Sequence, residues 1–191
     1  MPHPIVACAR GWIGTRFHHQ GRLRKTESHR GGVDCLGLLV GIAQELDLRA
    51  PDGTRLAVFD KADYPHQPDV KRLYARLAEL FAIVIPAKAG IQCAASAARK
   101  DLLYRAHGAL LDSRFRGNDK EMNPSLTGEG ILPGDIVLLK IDGSPQHLAI
   151  VSDMENGLGL IHAYAPARAV VEHRLDGWWL EKIEAAFRIT S

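Results

Sequence analysis

An α+β fold is predicted for this chain, with helices in its first part and antiparallel strands in its last part. Apolar residues recur at helical spacing in the first part, where Asp34 and Asp69 precede two such runs as N-cap candidates. The last part carries short apolar runs separated by the hairpin signal Asp142-Gly143 and the turn Glu155-Asn156-Gly157. Because helices come first and strands follow, the pattern favours α+β over a parallel sheet with alternating helices.

The elements follow from these patterns in chain order. Apolar periodicity predicts helices over residues 4–13, 35–47 and 69–82. Pro51, Pro65 and Pro68 mark the stretch between the second and third helices as irregular. The strands are predicted at 136–141, 147–152, 158–164, 169–174 and 185–189. We therefore expect N-terminal helices packed on a central antiparallel sheet.

Length and composition predict one domain spanning residues 1–191. The chain is 46% hydrophobic and 24% charged, which suffices for a substantial core. A net charge of +2 with scattered Lys and Arg does not favour nucleic-acid binding. Neither a signal peptide nor a membrane-spanning apolar stretch is visible, so we expect synthesis in the bacterial cytoplasm. Three widely spaced cysteines indicate neither a disulfide framework nor a metal knuckle.

Residues 84–119 interrupt this plan, and we interpret them as a repeat-derived insertion. When residues 111–119 are read backwards as reverse-complement codons, all nine can encode residues 84–92. A DNA inverted repeat would produce this relation, and surface loops tolerate such additions because loop-closure entropy grows slowly with length. Residues 94–111 are rich in Ala, Leu, Arg and Lys, and could form a helix that docks on the domain or mediates self-association.

Cys35 is the candidate nucleophile. It follows Asp34 where a glycine-containing loop becomes a helical run, so its thiol lies at a helix N-terminus, which lowers a thiol pKa. His147 opens a predicted strand, and His162 lies on the adjoining hairpin strand, where cross-strand pairing can bring the imidazoles together. This order of Cys and His is similar to that of papain-like thiol hydrolases.

The same residues carry a family resemblance that extends over most of the chain outside 84–119. The matching motifs are Ala9-Arg10-Gly11-Trp12-Ile13-Gly14-Thr15, His19-Gln20-Gly21, Asp34-Cys35-Leu36-Gly37-Leu38, Leu132-Pro133-Gly134-Asp135-Ile136-Val137-Leu138, His147-Leu148-Ala149-Ile150, Ile161-His162-Ala163-Tyr164, Trp178-Trp179 and Ala185-Ala186-Phe187-Arg188. Together they resemble the NlpC family of cell-wall cysteine peptidases, and most closely its phage tail-assembly branch.

The resemblance implies a papain-like NlpC fold and hydrolysis of the γ-D-glutamyl–diaminopimelate bond, or a close relative, in peptidoglycan stem peptides. It assigns Cys35 as nucleophile, His147 as base and His162 as the orienting residue, without a cofactor or metal. Asp34, Phe17, His19 and Leu36 would support the site or line the substrate cleft. Peptidoglycan stem peptides and phage tail proteins are the expected partners, and the virion tail is a further expected location.

Two departures from the family pattern keep alternatives open. Phe17 stands where many members have a Tyr whose hydroxyl lines the site, and Leu36 stands where many have Ser. The first alternative is a catalytically impaired structural tail protein. The second is an amidase or acyltransferase on the same scaffold. A metal site formed by Cys35, His147 and His162 is disfavoured, because no local ligand pair accompanies them.

Overall fold

The helices confirm the first part of the predicted α+β plan. The structure, a computed structural model, describes residues 2–61, 63–65, 69–85 and 130–189. The α-helices within these ranges are α1 (Pro4–Arg10), α2 (Cys35–Glu45), α3 (Val70–Leu80) and α4 (Gly177–Lys182). A 3₁₀ turn spans Leu56–Phe59 in the irregular stretch between α2 and α3. No helix of the described part is both long and apolar enough to cross a membrane.

The strands form two antiparallel sheets in the described part of the chain. A two-stranded ribbon pairs β1 (Arg22–Leu23) with β2 (Gly32–Val33). The main sheet has the order β3-β8-β4-β5-β6-β7. Its strands are β3 (Ala82–Ile85), β4 (Ile136–Ile141), β5 (Ser144–Met154), β6 (Gly157–Tyr164), β7 (Ala169–Arg174) and β8 (Ile183–Arg188). Short connections join β4, β5, β6 and β7 in sequence. His147, His162 and His173 therefore lie on three neighbouring strands, β5, β6 and β7.

The main sheet is covered on both faces, and this fixes where the site can form. On one face, α1 and α2 pack on the sheet through residues such as Val6, Leu38 and Ile150, and α3 packs beside them. On the other face, Trp179 of α4 packs against alternate residues of β4, β5 and β6. Since strand residues alternate between faces, Ile161 joins the helical face and Leu160 joins the α4 face.

The structure corrects several predicted boundaries. Helix α1 ends at Arg10, three residues early, because a tight turn with Gly14 at a positive φ of 82° follows it. Strand β5 is longer at both ends than the predicted 147–152. Sequence reasoning missed α4, whose six residues are too few for a periodic signal, and the edge strand β3.

Strand β3 also changes the start of the proposed insertion. Ile83 pairs with Phe187 and Ile85 with Ala186 of β8, so residues 82–85 belong to the sheet. The predicted insertion at 84–119 therefore begins with two residues, Val84 and Ile85, that belong to the sheet. Residues 86–119, with Cys93 and the predicted helix at 94–111, lie outside the described residues, so the repeat-derived insertion stays a prediction.

Candidate active site

The N-terminus of α2 is held by a buried carboxylate. Asp34 is the N-cap residue and is 4% exposed; one carboxylate oxygen accepts a hydrogen bond from the Gly37 N–H at 2.8 Å. The other oxygen accepts from the Gln20 N–H at 2.7 Å and from the Tyr64 hydroxyl. Arg22 lies 3.4 Å from the carboxylate. Asp34 therefore ties the loop before α2 to the helix end that carries Cys35.

The loop before α2 is also fixed by the close approach of its backbone at Gly21 to Gly37 on the first turn of α2. A Cβ atom at position 37 would lie 2.0 Å from the Gly21 carbonyl oxygen, so only glycine fits on this turn of α2. The loop around Gln20 thus packs directly on the first turn of the helix. As a result, Cys35, the first residue of α2, has a well-defined position at the base of a cleft.

The Cys35 thiol is neutral in this environment. Burial raises its pKa to about 11, the Leu148 N–H partly offsets this rise, and the Asp34 charge adds to it. The amides of Leu36 and of Cys35 itself also act to lower the pKa. The expectation of a lowered thiol pKa is therefore wrong, because desolvation outweighs the effect of the helix N-terminus. The pKa of Cys8 is raised further, to about 12.

His147 and His162 form a hydrogen-bonded pair. Their Nε2 and Nδ1 atoms lie 2.7 Å apart, and their rings meet edge to face. Burial lowers the pKa of His147 to about 4, against a smaller opposite effect of the Asp34 charge. Burial also lowers the pKa of His162, to about 2, with the neighbouring His147 and His173 adding to the effect. Both imidazoles are therefore neutral at physiological pH.

Six of the predicted site residues line one large cleft. Cys35, His147, Asp34, Phe17, His19 and Leu36 all line it. The sulfur of Cys35 faces the backbone N–H of Leu148, the residue after His147. No hydrogen bond joins Cys35 to His147 among the described residues, so their direct contact stays a prediction. His162 lies behind His147, fully buried, and is not among the cleft-lining residues.

The supporting residues differ in what they contribute. His19 places Nδ1 3.8 Å from an Asp34 oxygen and meets the Tyr64 ring edge to face. Phe17 packs against the core below α1, and Leu36 packs against the cluster beside α3. Phe17 has no hydroxyl, yet Tyr64 brings one to the cleft, bonded to Asp34. Burial and the Asp34 contact raise the pKa of Tyr64, so this hydroxyl keeps its proton.

Sequence reasoning did not assign to the site three ring residues that touch the histidine pair: His173, Trp179 and Tyr164. His173 of β7 lies 2.8 Å from His162, joined through their Nε2 atoms, and Trp179 of α4 stacks on His173. The register offered a signal for His173: the hairpin pairs His162 with Val171, so His173 is its diagonal neighbour on the same face. In the described ranges, no three His, Cys, Asp or Glu side chains converge in a metal-binding arrangement.

Comparison with solved structures identifies the fold. The chain resembles a crystal structure of an N-acetylmuramoyl-L-alanine amidase from Bacteroides uniformis, with a TM-score of 0.52 and 15% identity over 98% of this chain and 99% of that one. A second structure of that name gives a TM-score of 0.50 and 14% identity over 98% of both chains. This shows a shared α+β fold. The sequence matches no protein-family model and no curated protein, so the NlpC resemblance stays a prediction.

Replacing Asp34 with alanine is expected to destabilise the protein by about 2–4 kcal/mol. The change removes the N-cap and leaves the donors of Gln20, Gly37 and Tyr64 without their acceptor. Urea unfolding measures the loss. Asp69→Ala is the matched control: Asp69 caps α3 through the Lys71 and Arg72 amides at an exposed site, and we expect a loss of about 1 kcal/mol. Equal losses would contradict the structural role of Asp34.

Because burial lowers the pKa of His147 and His162, we expect acid to destabilise the folded protein. The folded pKa of His147 is about 4 and the unfolded value is about 6.5, so below pH 6.5 the unfolded state binds more protons. Stability is therefore full above pH 6.5 and falls by about 3 kcal/mol from His147 alone as pH drops to about 4. Urea unfolding across this range should give a shallower pH slope for His147→Gln. The exposed control His29→Gln should keep the wild-type slope.

Proposed function

We propose that the protein is a thiol hydrolase that cleaves an amide bond in peptidoglycan stem peptides. The observation that carries the proposal is the hydrogen-bonded pair of His147 and His162, of which His147 lines the same cleft as Cys35 at the N-terminus of α2. The solved structures that share the fold bear the name of a peptidoglycan amidase, which supports a cell-wall substrate. The motif resemblance to cell-wall cysteine peptidases points to the same substrate class.

The proposed reaction starts from a neutral thiol and a neutral imidazole. His147 takes the proton of Cys35 as the sulfur attacks the amide carbonyl carbon, and the backbone N–H of Cys35 donates to the developing oxyanion. The carbon–nitrogen bond breaks, and His147 returns the proton to the leaving amine. Water, deprotonated by His147, then hydrolyses the thioester and releases the free carboxylate and the Cys35 thiol. Because both groups are neutral at rest, proton transfer accompanies attack and no thiolate is stored beforehand.

We further propose that the scissile bond is the γ-D-glutamyl–diaminopimelate bond, as the motifs of the NlpC family imply. The second candidate is the N-acetylmuramoyl-L-alanine linkage, because the structural neighbours are named for it. An acyltransferase would form the same thioester at Cys35 and pass the acyl group to an amine. A catalytically impaired tail protein would bind without turnover.

Digestion of purified muropeptides, read by mass spectrometry, separates these functions. Endopeptidase activity releases a fragment that begins with diaminopimelate, whereas amidase activity releases the intact stem peptide from the sugar. Acyl transfer gives a new amide when an amine acceptor is added. Cleavage at either bond supports the thiol hydrolase. Intact muropeptides under all conditions, with folded protein, would overturn the proposal in favour of the structural tail protein.

The tail association and the role of the insertion are proposed on the sequence motifs alone. We propose that the protein is associated with a phage or prophage tail and self-associates through residues 94–111. Deletion of residues 86–119 with a short Gly/Ser linker is expected to leave a cooperatively folded protein, since a shorter flexible loop has a smaller closure cost. Thermal melting tests folding, and gel filtration should show loss of self-association. Absence of cooperative unfolding would show that the segment has become part of the core.

A further inference from the structure

Three histidines from three neighbouring strands form one continuous hydrogen-bonded chain that ends on a backbone carbonyl. His147 of β5 bonds His162 of β6 at 2.7 Å, and His162 bonds His173 of β7 at 2.8 Å. The remaining ring nitrogen of His173, Nδ1, lies 3.0 Å from the Arg174 carbonyl oxygen. His162 and His173 thus use both ring nitrogens in these hydrogen bonds, whereas His147 uses only Nε2.

When all three rings are neutral, the Arg174 carbonyl determines which nitrogen donates and which accepts in each of these hydrogen bonds. A carbonyl oxygen can only accept, so Nδ1 of His173 carries the proton and its Nε2 is an acceptor. His162 must then donate through Nε2, which makes its Nδ1 an acceptor. His147 in turn must donate through Nε2, which leaves Nδ1 of His147 unprotonated. The Arg174 carbonyl, three hydrogen bonds away, therefore determines that Nδ1 of His147 is the nitrogen that can take a proton.

The aromatic residues around the chain hold the rings in these positions. Trp179, only 7% exposed, stacks on His173 with the ring centroids 4.7 Å apart and meets His162 edge to face at 5.1 Å. Tyr164 stacks on His162 at 4.9 Å and meets the Trp179 ring edge to face. At the N-cap of α4, Asp176 accepts a hydrogen bond from the backbone N–H of Trp179, which anchors the helix that carries the indole. This packing restricts the ring rotations that would break the hydrogen-bonded order.

We propose that His173 is a positioning residue which, through the Arg174 carbonyl, fixes the tautomers of His162 and His147 so that Nδ1 of His147 is free to accept the Cys35 proton. The inference rests on the proposed function for its catalytic meaning, but its structural content does not depend on any substrate. Without His173, His162 could donate in either direction. His147 would then spend part of its time with Nδ1 protonated, and in that form it cannot act as the base.

Histidine-selective ¹⁵N labelling with long-range ¹H–¹⁵N spectra at pH 8 tests the tautomers directly in the unmodified protein. We expect the proton on Nε2 of His147, on Nε2 of His162 and on Nδ1 of His173. A proton on Nδ1 of His147 or of His162 would overturn the proposal. Since this measurement uses neither substrate nor variant, it decides the proposal even if muropeptides are not cleaved and the proposed function fails.

Variants at position 173 test the consequence. His173→Phe keeps a ring beside Trp179 but removes the acceptor, so kcat should fall about 10- to 100-fold with little change in KM. His173→Gln keeps an acceptor oxygen and should retain activity within about threefold of wild type. The rate of Cys35 alkylation by iodoacetamide should fall more in His173→Phe than in His173→Gln. This second measurement does not require muropeptides. Equal rates for wild type and His173→Phe, or equal losses in both variants, would contradict a tautomer-setting role.

Discussion

Replacement of Cys35 with alanine is expected to lower muropeptide hydrolysis by about 10⁴-fold or more while leaving the protein folded. The change removes the only protein atom that bonds to the substrate carbonyl in the proposed reaction, and comparable nucleophile deletions have effects of this size. The Cys35 residue is partly exposed although its sulfur is buried, and it packs only at the margin of the cluster beside α3, so loss of one sulfur atom should leave the protein folded. Product formation followed by mass spectrometry measures the effect.

Cys8→Ala is the matched control for this prediction. Cys8 lies in α1 and hydrogen-bonds Glu45 at 3.2 Å, and burial with this contact raises its pKa to about 12. It should therefore label slowly with iodoacetamide near neutral pH, and its loss should leave hydrolysis within about twofold of wild type. If Cys35→Ala kept substantial activity, or if Cys8→Ala abolished it, the assignment of the nucleophile would be wrong.

Replacement of His147 with alanine is expected to lower kcat/KM by about 10²- to 10⁴-fold, the usual contribution of a general base. The wild-type pH profile should locate this base. Activity requires neutral His147, whose pKa is lowered to about 4 by burial, so the acidic limb of kcat/KM should fall near pH 4. An unperturbed imidazole would place the limb near pH 6.5.

The control for this prediction is His29→Gln, an exposed position outside the cleft, which should leave the profile unchanged. Circular dichroism at each pH separates loss of activity from the acid unfolding predicted above. An acidic limb near pH 6.5 in folded protein would show that the base is a more exposed group than His147. Retention of wild-type activity by His147→Ala would remove it from the mechanism.

Local sequence signals could predict the fold class and most of the elements. The Asp34 cap, the apolar face of α2 and the two hairpin turns depend on near neighbours in sequence, and the structure confirms them. Short elements gave weaker signals. Helix α4 has six residues and strand β3 has four, and both exist because they complete a covered sheet.

The electrostatics of the site could not be read from the sequence. The helix N-terminus at Cys35 is a local feature, but burial of the thiol depends on Leu148 and α3, which are distant in sequence. In the same way, His173 joins His162 only because the β6–β7 register places them on one face. The Tyr64 hydroxyl, bonded to Asp34 from an irregular stretch without periodicity, could not have been assigned to the cleft beforehand.

The central claim is that Cys35 attacks an amide of the stem peptide, and the covalent intermediate tests it most directly. Protein mixed with muropeptides and quenched in acid within one turnover should carry a thioester on Cys35. Intact-protein and peptide mass spectrometry should then show the added mass of the acyl part of the cleaved bond, confined to the Cys35 peptide and absent in Cys35→Ala. Product release without any adduct on Cys35, or the same products from Cys35→Ala, would contradict the account.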